Sequence, residues 1–324
     1  ETLSPWQPHA PVAGPPPDRS PTLTATVPTA VIAFDFDPYL RLGDTALRWE
    51  TLALAGTILL ALLIGARLAG SFGSDAGWWG LRRLDLLFIV LGVVPGAIIG
   101  GRAGYVLLHL DYYAANPAAI LDPAQGGLQL SLGVVGGAVT GAYVARYIDA
   151  PVGRWLHIAA VPVLAALVLG KVAMALGGTG QGEPTSDAWA TAYLGPWPWG
   201  SLAPDVPSHP AQIYEAALSG LALAALLALL SAGAFRRRDG LAFLVGVALW
   251  AIGRLVVASS WRDPLVVGPL RADQLISLVV LAGCVGLFVL RVRRRPAGDG
   301  PGGEEEGGRA AGEGHEEPLA GRFR

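Results

Sequence analysis

Long apolar runs alternate along this chain with short polar segments, and most of the runs carry little charge. A helix that crosses the hydrocarbon core of a bilayer needs about 20 mostly apolar residues, whereas buried strands are much shorter. The pattern predicts seven membrane-spanning helices, near residues 51–70, 85–109, 128–147, 156–176, 211–235, 241–261 and 272–292. We therefore expect an all-α membrane protein, a bundle of about seven transmembrane helices with a small outer head loop.

The composition agrees with lipid as the solvent. Hydrophobic residues make up 52% of the chain and charged residues only 15%, where a soluble domain has about 25% charged residues. The net charge of -2 gives no sign of a nucleic-acid partner. The single cysteine, Cys284, excludes a disulfide within the chain and a zinc site built on cysteines. We expect neither a metal ion nor a cofactor.

Glycine spacing and terminal composition divide the chain further. The run GVVGGAVTGA at 133–142 is typical of helices that approach each other closely in lipid. Residues 1–30 and 293–324 are predicted to be disordered tails around a membrane domain at 31–292, because they have too little apolar surface to fold. Within that domain, 177–210 is interpreted as a folded head on the outer leaflet, with interfacial tryptophans Trp189, Trp197 and Trp199.

Arginine is distributed unevenly among the loops. It is absent from 110–127 and 177–210, and Arg262 and Arg271 in the sixth loop are the exception to the alternation. Basic residues concentrate in cytoplasmic loops, so we predict an outer N-terminus and a cytoplasmic C-terminus. The arginines that set this orientation are Arg82, Arg83, Arg146, Arg154, Arg236, Arg237, Arg238, Arg291, Arg293, Arg294 and Arg295.

Three basic residues fall inside predicted spans: Arg102, Lys171 and Arg254. A charge within a span is costly, so it is expected to face the bundle interior and to meet a partner. The three cations could line one cavity and bind one anion, and a phospholipid phosphate is the obvious anion in a membrane. Alternatively, each cation pairs with an acid or reaches an interface, the candidate acids being Glu50, Asp111 and Glu215.

Polar residues also mark the starts of two spans. The segment SHPAQIYEA at 208–216 places four such side chains within about two helical turns, with Pro210 suited to the first turn. Either they form part of a site or they make an ordinary helix cap with an interfacial tyrosine. The four are His209, Gln212, Tyr214 and Glu215. Asp273 and Gln274 likewise have the pattern of a capped helix start.

Several segments occur in a recognisable order. They are FDFDPYLRLGDTALRW (34–49), GGRAGYVLLH (100–109), GGLQLSLGVVGGAVTG (126–141), GKVAMALGGTGQGEPTSDAWA (170–190), HPAQIYEA (209–216), WAIGRLVV (250–257) and RADQLIS (271–277). Together they resemble the bacterial prolipoprotein diacylglyceryl transferase family over roughly residues 34–292.

This resemblance implies a seven-helix enzyme of the bacterial plasma (inner) membrane. Such an enzyme moves the diacylglyceryl group of phosphatidylglycerol to the lipobox cysteine of a preprolipoprotein signal segment and releases glycerol-1-phosphate. It implies catalytic roles for Arg254, Lys171 and His209. It also implies that phospholipid is bound by Arg102, Lys171, Arg254, Tyr105, Gln212, Tyr214 and Gln274.

The chain departs from the family pattern within the catalytic signatures. A His-Gly-Gly of the third span reads Ser131-Leu132-Gly133, and a Trp-Tyr pair at the first span reads Trp49-Glu50. In the signature GRxGNFxNGE, the arginine, the two asparagines and the glutamate are Lys171, Met174, Gly177 and Thr179. The acid four residues after Arg254 is Ala258, and this loss predicts that Arg254 is freer to bind phosphate.

Three functions follow from these patterns. The first is a working diacylglyceryl transferase. The second is a catalytically reduced paralogue that binds phospholipid or lipoprotein signal segments without turnover. The third, a transporter or channel, predicts internal duplication or paired broken helices, and the sequence has neither.

Overall fold

The computed structural model describes residues 31–43, 45–73, 83–122, 127–196, 198–201, 203–237, 239–263 and 265–293. The two predicted tails, except for Arg293, lie outside the described residues. The helices are α1 (Trp49–Gly73), α2 (Arg83–Leu108), α3 (Leu110–Ala115), α4 (Leu130–Tyr147), α5 (Val152–Gly177), α6 (Ala211–Ser231), α7 (Leu241–Val257) and α8 (Ala272–Arg293). The strands are β1 (Ile32–Phe34), β2 (Tyr39–Leu42), β3 (Thr45–Arg48), β4 (Thr191–Tyr193), β5 (Leu265–Val267) and β6 (Leu270–Arg271).

Each of the seven predicted spans corresponds to a helix, which confirms the fold class. Six helices of the described residues are long and apolar enough to cross a bilayer, namely α1, α2, α5, α6, α7 and α8. The third predicted span, α4, is helical for 18 residues but is not among the six. Its glycines, tyrosines and Arg146 lower its apolar content. Those glycines serve packing instead.

Helices α2 and α4 approach each other through glycine. A Cβ on Gly136 would overlap the carbonyl oxygen of Gly96, and a Cβ on Gly100 would overlap that of Leu132. The predicted close packing at 133–142 is therefore confirmed. It brings the backbone of Gln129, which precedes α4, against Gly101 of α2, with a hydrogen bond of 2.8 Å between Gln129 N and Gly101 O.

The apolar core lies mainly between α5, α6, α7 and α8. Leu164, Leu226, Trp250 and Val280 are buried there in one contiguous cluster. Aliphatic side chains on the opposite faces remain exposed, as Leu91 of α2 does. This arrangement is the one expected of helices whose outer surfaces contact lipid rather than water.

The head is folded, as predicted. Strand β1 pairs in parallel with β4, so the chain before α1 becomes part of the head. The rings of Phe34 and Tyr193 stack with centroids 5.0 Å apart. Trp199 packs against Tyr193 and is only 5% exposed. Trp199 is thus a core residue of the head and not an interfacial anchor, because the rings of Phe36 and Tyr193 pack against it. Trp189 is exposed, and Trp197 lies outside the described residues.

The head is fastened to the loop between α7 and α8. Arg262 Nε donates to Gly182 O at 2.6 Å, and Arg262 Nη2 donates to Ser208 Oγ at 2.9 Å. Arg271 Nη2 pairs with Glu183 Oε1 at 2.7 Å. The two arginines that broke the loop pattern therefore have partners in the head, and these contacts place the loop at the same end of the bundle as the head.

Candidate active site

Four charged side chains from four helices meet inside the bundle. Lys171 of α5 and Arg254 of α7 both pair with Glu215 of α6, with Nζ–Oε2 and Nη1–Oε1 distances of 2.9 and 2.6 Å. Arg254 Nη2 also pairs with Asp273 Oδ2 of α8 at 2.5 Å. All four residues are at most 6% exposed. The charges of the two cations and two anions cancel, and this pairing lowers the free-energy cost of burying them away from water.

A fifth polar residue connects this cluster to the glycine-packed helix pair. Gln129 Nε2 donates to Asp273 Oδ1 at 2.6 Å, and Gln129 Oε1 accepts from Leu132 N at the start of α4. Gln129 thereby caps α4 and holds the carboxylate that Arg254 requires. The sequence reasoning missed Gln129, although its position at the opening of a glycine-rich span was a usable signal.

The sequence interpretation of Asp273 requires correction. It has the pattern of a helix-capping residue, but α8 begins at Ala272, and the Asp273 carboxylate is buried against Arg254. A count of charges inside the spans could have suggested this, since buried cations need counterions. Gln274 does support the helix start, because its Oε1 accepts from Arg271 N at 2.9 Å.

The guanidinium of Arg254 is also paired with more carboxylates than its sequence context predicted. The loss of the family acid at Ala258 suggested an unneutralised cation, yet Glu215 and Asp273 both bind the guanidinium. The prediction was wrong because the counterions come from other helices. Ala258 itself is 1% exposed, so a larger side chain there would have to displace packed neighbours.

Aromatic rings and unused donors border the cluster. The indole of Trp261 lies 4.6 Å from Arg254 Cζ and 4.9 Å from Lys171 Nζ, measured to the ring centroid. Among the described residues, Arg254 Nε and Trp261 Nε1 are buried without a hydrogen-bond partner. An unpaired buried donor is costly, and an oxyanion that accepts from both would remove that cost.

Asp263 lies at the outer edge of the cluster. Burial raises the pKa of its carboxyl, and the charge of Asp273 raises that pKa further, while Arg254, Arg271 and His109 oppose the rise. The carboxyl therefore interacts electrostatically with both the buried cluster and His109, just after the end of α2. Tyr105 of α2 stacks on His109 there, with ring centroids 4.2 Å apart.

Arg102 makes a different set of contacts. Its Nε donates to Ile120 O at 2.8 Å and its Nη2 to Ala119 O at 2.7 Å, while its guanidinium lies 5.3 Å from the ring centroid of Tyr113. The structure thus joins Lys171 and Arg254 through the shared carboxylate of Glu215 and ties Arg102 to the chain that follows α3. That all three line one cavity stays a prediction.

The predicted residues of 208–216 separate into two groups. His209 Nδ1 lies 3.4 Å from Tyr214 Oη and 3.8 Å from Asp187 Oδ2, so both rings belong to the head side. Gln212 and Glu215 are both buried, and Glu215 belongs to the charged cluster whereas Gln212 contacts the head. Gln212 Nε2 donates to Tyr193 Oη at 3.0 Å, and burial raises the pKa of the Tyr193 phenol to about 12. The protonated phenol donates in turn to Ala175 O at 2.9 Å.

The position of the family histidine is also buried. Ser131 is 1% exposed, and its Oγ has no hydrogen-bond partner among the described residues. A serine hydroxyl cannot accept a proton at neutral pH as an imidazole can. Serine at this position therefore offers weaker proton-accepting chemistry than a histidine would.

Comparison with known proteins connects this geometry to a family. The family model described as prolipoprotein diacylglyceryl transferase matches residues 38–290. A protein of Geobacter sulfurreducens is 31% identical over 80% of this chain and 96% of its own length. A protein of Nitrobacter hamburgensis is 32% identical over 71% of this chain and 77% of its own length. Both are named phosphatidylglycerol–prolipoprotein diacylglyceryl transferase.

The matches also cover the head and the buried cluster. A relative from Symbiobacterium thermophilum with the same name is 28% identical over 83% of this chain and 97% of its own length. The region matched by the family model begins just before β2 and ends within the last turn of α8, so it includes every charged residue of the cluster. The similarity is therefore to whole relatives and not to one shared segment.

Proposed function

We propose, since this chain belongs to the prolipoprotein diacylglyceryl transferase family, that it transfers the diacylglyceryl group of phosphatidylglycerol to the lipobox cysteine of preprolipoproteins. In this reaction a carbon–sulphur bond forms between the thiol sulphur and the terminal glyceryl carbon. The bond between that carbon and the phosphate oxygen breaks, and its electron pair stays on the phosphate. The thiol proton leaves with a base or with the released glycerol-1-phosphate.

The observation that supports this proposal is the buried cluster around Arg254. As the carbon–oxygen bond breaks, negative charge grows on the phosphate, so preorganised cations and N–H donors stabilise the transition state. Lys171 and Arg254 supply the charge, and the Nε of Arg254 and the Nε1 of Trp261 supply unused donors. Glu215 and Asp273 hold both cations in place before the lipid arrives.

The other candidate residues bind the phospholipid at the edges of the site or accept the thiol proton. Arg102 and Tyr105 hold the outer rim of the phospholipid site, and Gln212, Tyr214 and Gln274 shape its wall. His209, whose ring lies beside Tyr214 and Asp187 on the head side, is the candidate acceptor of the thiol proton. Without an imidazole at 131, we propose that turnover relies on His209, on water or on the leaving phosphate.

The test is thioether formation in nanodiscs that contain the full chain, phosphatidylglycerol and a peptide with a lipobox cysteine. A mass increase on the peptide that requires both its thiol and phosphatidylglycerol is expected. Complementation of a bacterial strain depleted of its own transferase provides the cellular counterpart. Binding of phosphatidylglycerol without any transfer would instead favour a catalytically reduced, lipid-binding paralogue.

We also propose an orientation in the bacterial plasma membrane, with the head outside and the C-terminus in the cytoplasm. The arginine-rich loop pattern supports it, and so do the partners found for Arg262 and Arg271. In a Cys284→Ala background, Asp205→Cys in the head should react with a membrane-impermeant maleimide on intact spheroplasts. Arg237→Cys, between α6 and α7, should react only after permeabilisation. The reverse labelling pattern would overturn the orientation.

A further inference from the structure

Gln129 lies at the junction between the glycine-packed helix pair and the charged cluster. Its backbone N donates to Gly101 O of α2 at 2.8 Å, and a Cβ on Gly104 would lie 2.9 Å from Gln129 Cβ. The side chain of Gln129 is 5% exposed. The close approach of α2 therefore fixes the stretch of backbone from which this buried side chain extends.

Two contacts set the orientation of the Gln129 amide. The backbone N–H of Leu132 can only donate, so the atom that it meets at 2.6 Å is the amide oxygen, Oε1. The amide nitrogen, Nε2, then faces Asp273 and donates to its Oδ1 at 2.6 Å. The second oxygen of that carboxylate accepts from Arg254 Nη2 at 2.5 Å. Each oxygen of the buried carboxylate thus has a donor, one neutral and one charged.

The orientation of Asp273 in turn affects the guanidinium of Arg254. Glu215 accepts from Nη1 and Asp273 accepts from Nη2, so two carboxylates define the plane of the guanidinium and the direction of its Nε. Without the bond from Gln129, the Asp273 carboxylate can rotate about its side-chain bonds, and the contact with Nη2 would shift with it. The direction of the buried Nε donor therefore depends on the Gln129 amide.

The neutrality of this amide matters as much as its geometry. Lys171 and Arg254 are balanced by Glu215 and Asp273, so the charges of the cluster cancel before lipid binds. A carboxylate in place of the amide would lie beside Asp273 and would give the cluster a net negative charge. Such a charge opposes the binding of a phosphate.

We infer that Gln129 is a positioning residue for the transfer reaction, which holds the Arg254 guanidinium through Asp273 with its Nε directed at the phosphate, and that it does so as a neutral donor. The inference rests on the proposed function for its kinetic readout. The alternative role is that of a helix cap alone, through the bond to Leu132 N at the start of α4. The two roles predict opposite effects of a carboxylate at 129, because an ionised carboxylate caps a helix N-terminus at least as well as an amide does.

The first test removes both hydrogen bonds of the side chain. Gln129→Met keeps the approximate length, and we expect kcat for thioether formation in nanodiscs to fall by about tenfold to a hundredfold, the range for a hydrogen bond to a charged group. The KM for phosphatidylglycerol should stay within a few-fold of wild type, because the Nε donor binds more strongly only as charge develops on the phosphate. Gln181→Met is the matched control, since the Gln181 amide is also buried but donates to Thr191 O in the head.

The second test, Gln129→Glu, depends on the charges around position 129. The charged or titratable side chains that surround it, directly or through Asp273, are Arg102, Tyr105, His109, Lys171, Glu215, Arg254, Asp263, Arg271 and Asp273. Asp273 contacts the amide directly, whereas Lys171 and Arg254 lie beyond it and are already paired. Burial and Asp273 therefore both disfavour ionisation of an acid at this position.

Gln129→Glu should consequently work at low pH and fail at high pH. While the introduced carboxyl is protonated, its O–H donates to Asp273 as the amide does. Once it ionises, that bond is lost and the cluster becomes negative. Measured against wild type at each pH from about pH 5 to about pH 8, kcat should begin within a few-fold of wild type and then fall, while KM rises. A Gln129→Glu variant that equals or exceeds wild type at the highest pH, or a Gln129→Met variant with the wild-type kcat, would overturn the inference.

Thermal unfolding in detergent micelles separates this inference from the proposed function. The folded protein favours the neutral form of the introduced carboxyl more than the unfolded chain does. The unfolding midpoint of Gln129→Glu relative to wild type should therefore be highest at low pH and should fall as the carboxyl ionises in the folded state. If wild type transfers nothing, the proposed function fails, and this trend alone decides whether Gln129 holds Asp273 as a neutral donor. A relative midpoint that stays constant or rises with pH would show that Gln129 is a helix cap alone.

Discussion

Replacing Glu215 with glutamine is expected to destabilise the protein by about 3–5 kcal/mol, the cost of breaking a buried ion pair from one side. The carboxylate neutralises Lys171 and Arg254 at once, and Glu215 itself is 1% exposed. Glutamine has almost the same shape, so the loss comes from charge and not from a cavity. With Glu215 neutral, Asp273 alone faces the two cations.

The measurement is the free energy of unfolding in mixed micelles, with Glu183→Gln as the matched control. Glu183 also pairs with an arginine, Arg271, but it is 46% exposed, and an exposed pair contributes only about 0–1 kcal/mol. Adding Lys171→Gln to Glu215→Gln restores charge balance and should recover a large part of the lost stability. It should not restore transfer. Equally small losses of stability for Glu215→Gln and Glu183→Gln would contradict the prediction that the buried ion pairs of Glu215 stabilise the fold.

The spans could be predicted from the sequence because the lipid imposes a length and an apolar content on each of them. Even α4, whose glycines dilute its apolar content, was located to within two residues at its start and at the same residue at its end. The strands β1 to β6 were not predicted. They are two to four residues long, too short for a periodic pattern, and β1 needs a partner more than 150 residues away.

The buried cations were predictable and most of their partners were not. A charge inside an apolar run is visible in the sequence, so Lys171 and Arg254 could be named directly. Which acid meets which cation depends on how four helices are arranged. Glu215 was one of three candidate acids, whereas Asp273 was interpreted as a helix cap and Gln129 was overlooked. From the local sequence, a polar residue near a helix end can be either a helix cap or the partner of a buried charge. Only the tertiary packing distinguishes these two roles.

The departures at 50, 177 and 179 show the same limit. Considered one motif at a time, each is the loss of a signature residue and weakens the case for catalysis. The structure adds that the side chains at 50 and 179 are in contact, since both carboxylate oxygens of Glu50 lie 2.8 Å from Thr179 Oγ1. At 131, the Ser131 hydroxyl has no hydrogen-bond partner in the described part of the chain.

Arg254→Lys is expected to lower the rate of transfer by about a hundredfold to a thousandfold, the usual cost of losing a preorganised donor to a developing oxyanion. The guanidinium binds Glu215 through Nη1 and Asp273 through Nη2 and keeps its Nε for a third partner. A lysine ammonium is a point charge that cannot reproduce this fork. The effect should appear in kcat more than in KM, because the added charge on the phosphate exists only in the transition state.

Arg254→Ala should be worse, since it also leaves Asp273 without its cation and removes the guanidinium that lies over Trp261. Arg262→Lys is the matched control: the same exchange, at a side chain that holds the head and not the cluster. The rate of thioether formation on the lipobox peptide, measured with purified variants of verified folding, tests this prediction. Full activity in both Arg254 variants would show that this arginine only supports the bundle, and that the phosphate is stabilised elsewhere.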